Sequence, residues 1–144
     1  MIESRRLSGK DIKTLVKLSE ESDFPAHLDK KDARFFCSRK RNCITYGIFH
    51  NNELVAVTTV SFMQTFPCSD APHGKVAYIS GVYTRPDMRG RGFATELLRQ
   101  VERKAKKVKM DYICCDSKAD KLFLKYGLKP SSESSLWKIL GEKD

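Results

Sequence analysis

The chain has 144 residues, 40% of them hydrophobic, and a formal net charge of +9. That length suits one domain, residues 1–144, with a sizeable core, and no apolar run approaches the ~18 residues of a transmembrane helix. The opening residues, Met1-Ile2-Glu3-Ser4-Arg5-Arg6, lack the apolar stretch of a signal peptide, so a cytoplasmic location is expected.

Ile2 to Leu7 reads as a first strand. Ser8, with Asp11 three residues on, has the pattern of a helix N-cap pair, and Ile12, Leu15, Val16 and Leu18 give the apolar stripe of a helix ending near Glu21. Residues 22–28 are loop-like. A second helix is expected from about Asp29, its cap, to Arg39. Cys43 to Phe49 and Leu54 to Phe66 are rich in β-branched and aromatic residues around His50-Asn51-Asn52-Glu53, which is a hairpin signal. After the loop 67–74 comes a strand-like run, Val76 to Tyr83. Phe93, Ala94, Leu97, Leu98, Val101 and Ala105 then recur at helical spacing, so a helix is expected from Gly90 to about Lys107. Tyr112 to Cys115 reads as a short strand, Ala119, Leu122 and Phe123 as a short helix stopped near Gly127, and Leu136 to Leu140 as a last strand. Tyr46, Phe49, Phe62, Phe66 and Trp137 are expected mostly in the core.

The positive charge is uneven. Residues 1–72 hold 11 Lys and Arg against 9 Asp and Glu, whereas residues 73–144 hold 16 against 9. Such a field attracts an anionic ligand, a nucleic acid or an acidic protein, and charge alone does not choose among them. The basic half also contains Arg89-Gly90-Arg91-Gly92-Phe93-Ala94, between the strand and the periodic helix. Glycines let backbone N–H groups approach a phosphate, the first helical turn has N–H groups to donate, and the helix dipole favours negative charge. A dinucleotide fingerprint starting at Gly90 would need glycine where Thr95 stands, and no G-x-x-x-x-G-K stretch occurs. Arginine–glycine segments that bind nucleic acid sit in low-complexity stretches, unlike this one. The cluster Arg103 to Lys109 reads as the solvated end of a helix, where cations suit the dipole.

Five cysteines, Cys37, Cys43, Cys68, Cys114 and Cys115, show no paired metal spacing and read as reduced thiols. Cys114 and Cys115 alternate across a strand, one toward the core. His27, His50 and His73 are isolated, so no metal site is expected.

The order β-α-α-β-β-β-α-β-α-β, with the arginine–glycine motif between the fourth strand and third helix, resembles the GNAT superfamily of acyl-CoA-dependent N-acetyltransferases over nearly the whole chain. The family's phosphate-loop pattern is Gln or Arg, two free positions, Gly, one free position, then Gly or Ala. Here Arg89, Gly92 and Ala94 match it. Ala119 to Leu128 is similar to the family's Ala-x-x-Leu-Tyr-x-Lys-x-Gly-Phe helix. The resemblance implies an α/β fold with a mixed, mostly antiparallel sheet whose fourth and fifth strands splay apart. It implies transfer of an acetyl group from acetyl-CoA directly to a primary amine of a small molecule or protein. The alternative is a CoA-binding sensor or interaction domain of the same fold without catalysis.

The cofactor residues it implies are Val82, Tyr83, Thr84, Arg89, Gly90, Arg91, Gly92, Phe93, Ala94, Thr95 and Phe123, with the Val82 N–H as an oxyanion donor. Phe123 occupies the position of the family's usual tyrosine acid and has no proton to give. That leaves water, or Tyr78, Ser80 or Cys114, to protonate the thiolate. Among possible bases, Glu21, Asp23, Asp70 and His73 lie on loops expected near the acceptor, whose pocket should come from the first two helices, residues 66–74 and the C-terminal strands. The expected partners are acetyl-CoA and an amine, with a second copy of the chain left open, and neither a membrane nor nucleic acid.

Overall fold

The computed structural model describes residues 1–38, 42–69, 71–115 and 121–128. In chain order these form β1 (Ile2–Arg6), α1 (Ile12–Ser19), α2 (Lys30–Phe36), β2 (Cys43–His50), β3 (Glu53–Gln64), β4 (Lys75–Thr84), α3 (Phe93–Lys107), β5 (Tyr112–Cys115) and α4 (Lys121–Tyr126). The expected last strand and Trp137 fall outside the described residues, as do Asp70, Arg39 and Ala119. No described helix is long and apolar enough to cross a membrane.

One sheet runs in the order β1-β2-β3-β4-β5. The first three pairings are antiparallel and β4 pairs with β5 in parallel, with α3 as the crossover that a parallel pair requires. The β2–β3 turn has Asn51 at φ 50° and Asn52 at φ 68°, both left-handed. Two such residues suit the right-handed twist of a tight hairpin, and asparagine tolerates that region better than most residues. The hairpin expected from the asparagine pair is therefore present.

Helices cover both faces of the sheet. On one face, Phe93, Leu97, Leu98, Val101 and Ala105 of α3 are buried in one cluster with Ile44, Ile48, Val60, Ala77 and Ile79 of the strands. On the other, Leu15 and Leu18 of α1 and Ala33 of α2 are buried with Leu7, Phe49, Leu54, Val57 and Tyr83. This double cover explains why β2 is buried from Cys43 to Phe49 without the alternation of a half-exposed strand.

The helix starts follow the sequence signals, with one adjustment. Asp29 caps α2 by accepting the Asp32 N–H at 2.8 Å, and Asp11 accepts the Ser8 N–H at 2.8 Å where the α1 segment begins. α3 begins at Phe93 rather than Gly90, because Gly90 and Gly92 both have φ 82°. Phe66 is 95% exposed, contrary to the core expectation, since it follows the end of β3 in an irregular segment.

Candidate active site

Between β4 and α3 the chain makes one short 3₁₀ turn, Pro86–Met88, and then the arginine–glycine loop. A Cβ placed on Gly90 or Gly92 would meet nothing within 4 Å, so these glycines serve the left-handed backbone and leave the space above them free. Among the described residues, the N–H groups of residues 90–95 donate to no backbone carbonyl or side chain. Six adjacent donors at the start of a helix of 15 residues form an anion cradle, reinforced by the helix dipole.

A groove of about 810 Å³ opens over this cradle. One wall is Val82, Tyr83 and Thr84 of β4, the floor is Arg89 to Thr95 without Arg91, and the far wall is Leu122, Lys125 and Tyr126 of α4. The Arg89 Nε donates to the Thr84 carbonyl at 2.9 Å, which holds its half-exposed guanidinium at the groove. Arg99, one turn beyond Thr95, also lines it. Neither Arg99 nor Lys125 is among the cofactor residues that the resemblance implies, although Lys125 stands at the lysine of the similar helix motif.

Phe123 is not on the groove wall. It is 7% exposed and belongs to the same buried cluster as Phe93, Leu97 and Val101. Leu122 and Tyr126 pack at the margin of that cluster and, with Lys125, also line the groove. The Tyr126 hydroxyl donates to Glu102 at 2.9 Å, and burial, then Glu102, push its pKa up to about 12. Of the expected cofactor residues, Phe123 and Arg91 are thus not among those that line the groove, while Leu122, Lys125 and Tyr126 are.

The edge of β4 changes character at Ser80. Thr59 faces Gly81 while Val60 faces Ile79, so Ser80 is the extra residue of a β-bulge. β5 pairs with β4 only along Val76–Ile79, and beyond that point β4 has no partner on this side among the described residues. Antiparallel ladders alternate, and the Arg85 N–H donates to the Val55 carbonyl at 2.8 Å. Residue 83 therefore also points toward β3, while the backbone groups of Val82 and Thr84 point to the open side. The Thr84 carbonyl confirms this direction, since it accepts from Arg89 there. The Val82 N–H is thus directed into the space where β4 and β5 part.

A second cavity, of about 280 Å³, lies across β4 beneath α1, α2 and their connection. It shares Val82 and Tyr83 with the first. Successive side chains of a strand face opposite ways: Val82 packs with the α3 cluster and Tyr83 with the α1 cluster. Ser80 lines this second cavity, whereas Tyr78 and Cys114 line neither. Burial pushes the Cys114 thiol up, with Cys115 adding to it, so it is no ready thiolate.

Of the loop carboxylates, Glu21 accepts the Tyr83 hydroxyl at 3.1 Å and lies 4.0 Å from Arg85. Burial, followed by this bond, pushes Tyr83 up to about 12. Asp23 lies 3.8 Å from Arg89, and Phe24 meets the Tyr83 ring edge-on at 4.8 Å. His73 is elsewhere, its Nδ1 3.1 Å from Asp111 and its backbone N–H donating to the same carboxylate. Among the described residues, the loop 66–74 lines neither cavity, and the acceptor-side wall comes from α1, α2, their connection and the strands. No group of three or more His, Cys, Asp or Glu among them could hold a metal ion.

The fold recurs in solved structures. A predicted acetyltransferase from Clostridium acetobutylicum, solved with acetyl-CoA, is 26% identical over 100% of both chains, with a TM-score of 0.78. The aminoglycoside N-acetyltransferase AAC(6')-Iy, solved in complex with CoA, is 14% identical over 97% of this chain and 95% of its own, with a TM-score of 0.80. A ribosomal-protein-alanine N-acetyltransferase from Brucella melitensis is 16% identical over 96% and 100%, with a TM-score of 0.74. The last two likenesses show the fold alone. No curated protein sequence matches the chain. The model of the acetyltransferase (GNAT) family matches residues 12–128. With the arginine–glycine cradle, the parting of β4 from β5 and a family match over most of its length, the chain belongs to the GNAT acetyltransferase family.

Proposed function

We propose that the protein is an N-acetyltransferase that moves the acetyl group of acetyl-CoA directly onto a primary amine. The observation that carries this reading is the meeting of two cavities at Val82 and Tyr83, one floored by an anion cradle and the other lying beneath α1 and α2. The 26%-identical relative solved with acetyl-CoA supports the donor. The residues fit that group: the N–H row of 90–95 with Arg89 suits its pyrophosphate, and the free backbone groups of Val82 and Thr84 suit its amide-bearing arm. Acetyl-CoA supplies an acetyl carbon activated as a thioester.

This chain's own part is to place and polarise. The amine nitrogen bonds to the acetyl carbon, the carbon–sulfur bond breaks, and the ammonium proton passes to water or to the departing thiolate. Charge grows on the carbonyl oxygen during attack, and the Val82 N–H is the donor directed at it. No carboxylate lines the acceptor cavity among the described residues, so proton removal is left to water.

Titration calorimetry with acetyl-CoA, followed by thiol-release assays with an amine panel, tests the reading. Binding together with turnover is expected. Tight binding without turnover of any amine would instead make this a CoA-binding module, and failure to bind below about millimolar would remove both readings. Arg89→Ala is expected to weaken CoA about tenfold, the worth of one charge-assisted hydrogen bond partly open to solvent. That loss should shrink in high salt, and unchanged affinity would take Arg89 out of the site.

A further inference from the structure

We propose that the acceptor is a small, largely apolar primary amine, an aryl-alkyl or alkyl amine, seated in the cavity beneath α1 and α2. This rests on the acetyl-transfer reading and adds the class of amine. The argument starts from what the cavity walls offer. Leu15, Phe24, Phe36 and Val57 make them apolar, and no charged side chain lines them among the described residues. A buried charge or unpaired polar group on the ligand would lose its water without replacement.

The wall does contain five hydroxyls, and most of their hydrogen-bonding protons are committed, that of Tyr83 to Glu21 at 3.1 Å. Thr58 Oγ1 donates to the Gly81 carbonyl at 2.7 Å, Ser80 Oγ to the Thr59 carbonyl at 3.4 Å, and Thr45 and Thr59 bond each other at 3.1 Å. What remains is mainly acceptor lone pairs. Those suit the N–H of an amine and cannot satisfy the many hydroxyls of a sugar. A peptide would bring main-chain amides as well. β2 and β3 are paired on both sides, and the free edge of β4 at Val82 and Thr84 is the one that suits the arm of acetyl-CoA, so those amides would find no ladder left to join.

Charge points the same way. The loop carboxylates beside the cavity are already partnered: Glu21 accepts the Tyr83 hydroxyl and lies 4.0 Å from Arg85, and Asp23 lies 3.8 Å from Arg89. Arg89 stands 5.9 Å from the Tyr83 ring, and the chain as a whole carries +9. The further ammonium groups of a polycation would therefore find no unpartnered carboxylate among these residues. The volume of about 280 Å³ sits at the small end of ligand pockets and suits one ring or a short chain. Entering such a cavity also favours the neutral amine over the ammonium ion, because burial disfavours charge. That supplies the nucleophile without a lining base.

The test is a panel of n-butylamine, n-hexylamine, 2-phenylethylamine, spermidine, kanamycin and a lysine-containing peptide with a free N-terminus. Thiol release and product mass are read, with acetyl-CoA binding measured in parallel. We expect kcat/KM to rise about fourfold per methylene from butyl to hexyl, and to be at least a hundredfold lower for spermidine, kanamycin and peptide. Ala26, an exposed residue on the wall, offers a variant that leaves the core intact. Ala26→Glu should cut kcat/KM for 2-phenylethylamine about tenfold, leave acetyl-CoA affinity unchanged and penalise spermidine less. Preference for spermidine, kanamycin or peptide, a flat response to chain length, or an Ala26→Glu variant with unchanged amine preference would overturn the class while acetyl transfer stands. Absence of acetyl-CoA binding, or of turnover with every amine, would overturn both.

Discussion

Val82→Pro will lower turnover about a hundredfold while acetyl-CoA still binds, because the substitution removes one N–H that acts only as charge develops. The position tolerates the test. The alternation set by the Arg85 N–H and the Val55 carbonyl puts the Val82 N–H outside the β3 ladder. Proline is accepted in a strand where its missing N–H faces an unpaired side, and the preceding Gly81 meets the restriction that proline places on its neighbour. Val82→Ala is the control. It keeps the N–H, trims a half-buried side chain, and should hold kcat within about threefold. Equal turnover in the two variants, with matched melting temperatures, would remove the Val82 N–H from the reaction. A proline variant that loses acetyl-CoA binding and activity in the same proportion would make the N–H a cofactor contact rather than a transition-state donor.

How much of this was legible in the sequence depends on whether a feature is local. α3 was readable because five buried residues recur at helical spacing, and the β2–β3 hairpin because two adjacent asparagines mark a left-handed turn. The cradle was readable because its glycines and arginines are contiguous. The parting of β4 and β5 came only through family resemblance, since nothing in Tyr112-Ile113-Cys114-Cys115 states how far a strand will pair. The bulge at Ser80 carries no local signature either; it follows from registering β4 on β3.

The acceptor cavity is the least legible part. Leu15, Phe24, Phe36, Val57 and Tyr83 come from four elements and a loop, and each has the signature of an ordinary core residue. A hollow differs from a core only in what fails to fill it. Glu21 was one loop carboxylate among several until the Tyr83 hydroxyl was found on it. Phe123 illustrates the opposite case. Motif alignment placed it where a groove residue was expected, yet the face that α4 buries is decided by packing against α3 and the sheet.

The wall that closes the acceptor cavity depends on a contact far from the chemistry, at Asp11. Its side chain is nearly buried and accepts two N–H groups of Arg5, at 2.8 and 2.9 Å, and the Ser8 N–H at 2.8 Å. Arg5 in turn stacks over Phe49 at 4.3 Å, so the cluster ties β1 and the start of α1 to the sheet. Breaking a buried ion pair costs about 3–5 kcal/mol. Here Arg5 keeps Glu3 at 2.6 Å and some solvent contact, so Asp11→Ala is expected to cost about 2–3 kcal/mol and lower the melting temperature by roughly 5–10 °C. Burial pushes the Asp11 carboxyl up, but the Arg5 hydrogen bonds and charge, with the Ser8 N–H, outweigh it and leave the value below the ordinary one. A folded-state pKa below the unfolded value contributes stability that is present above about pH 4 and lost as pH falls through the folded value. Denaturant melts of the wild type should weaken across that acid range. Asp11→Asn, which keeps the shape and cannot ionise, should start lower at neutral pH and lose less on acidification. An Asn variant with the wild-type acid slope would assign the titration to another carboxylate. Because α1 carries Leu15 into the cavity wall, the Asn variant should also raise KM for the amine more than it weakens acetyl-CoA, whose cradle lies on the other face of the sheet.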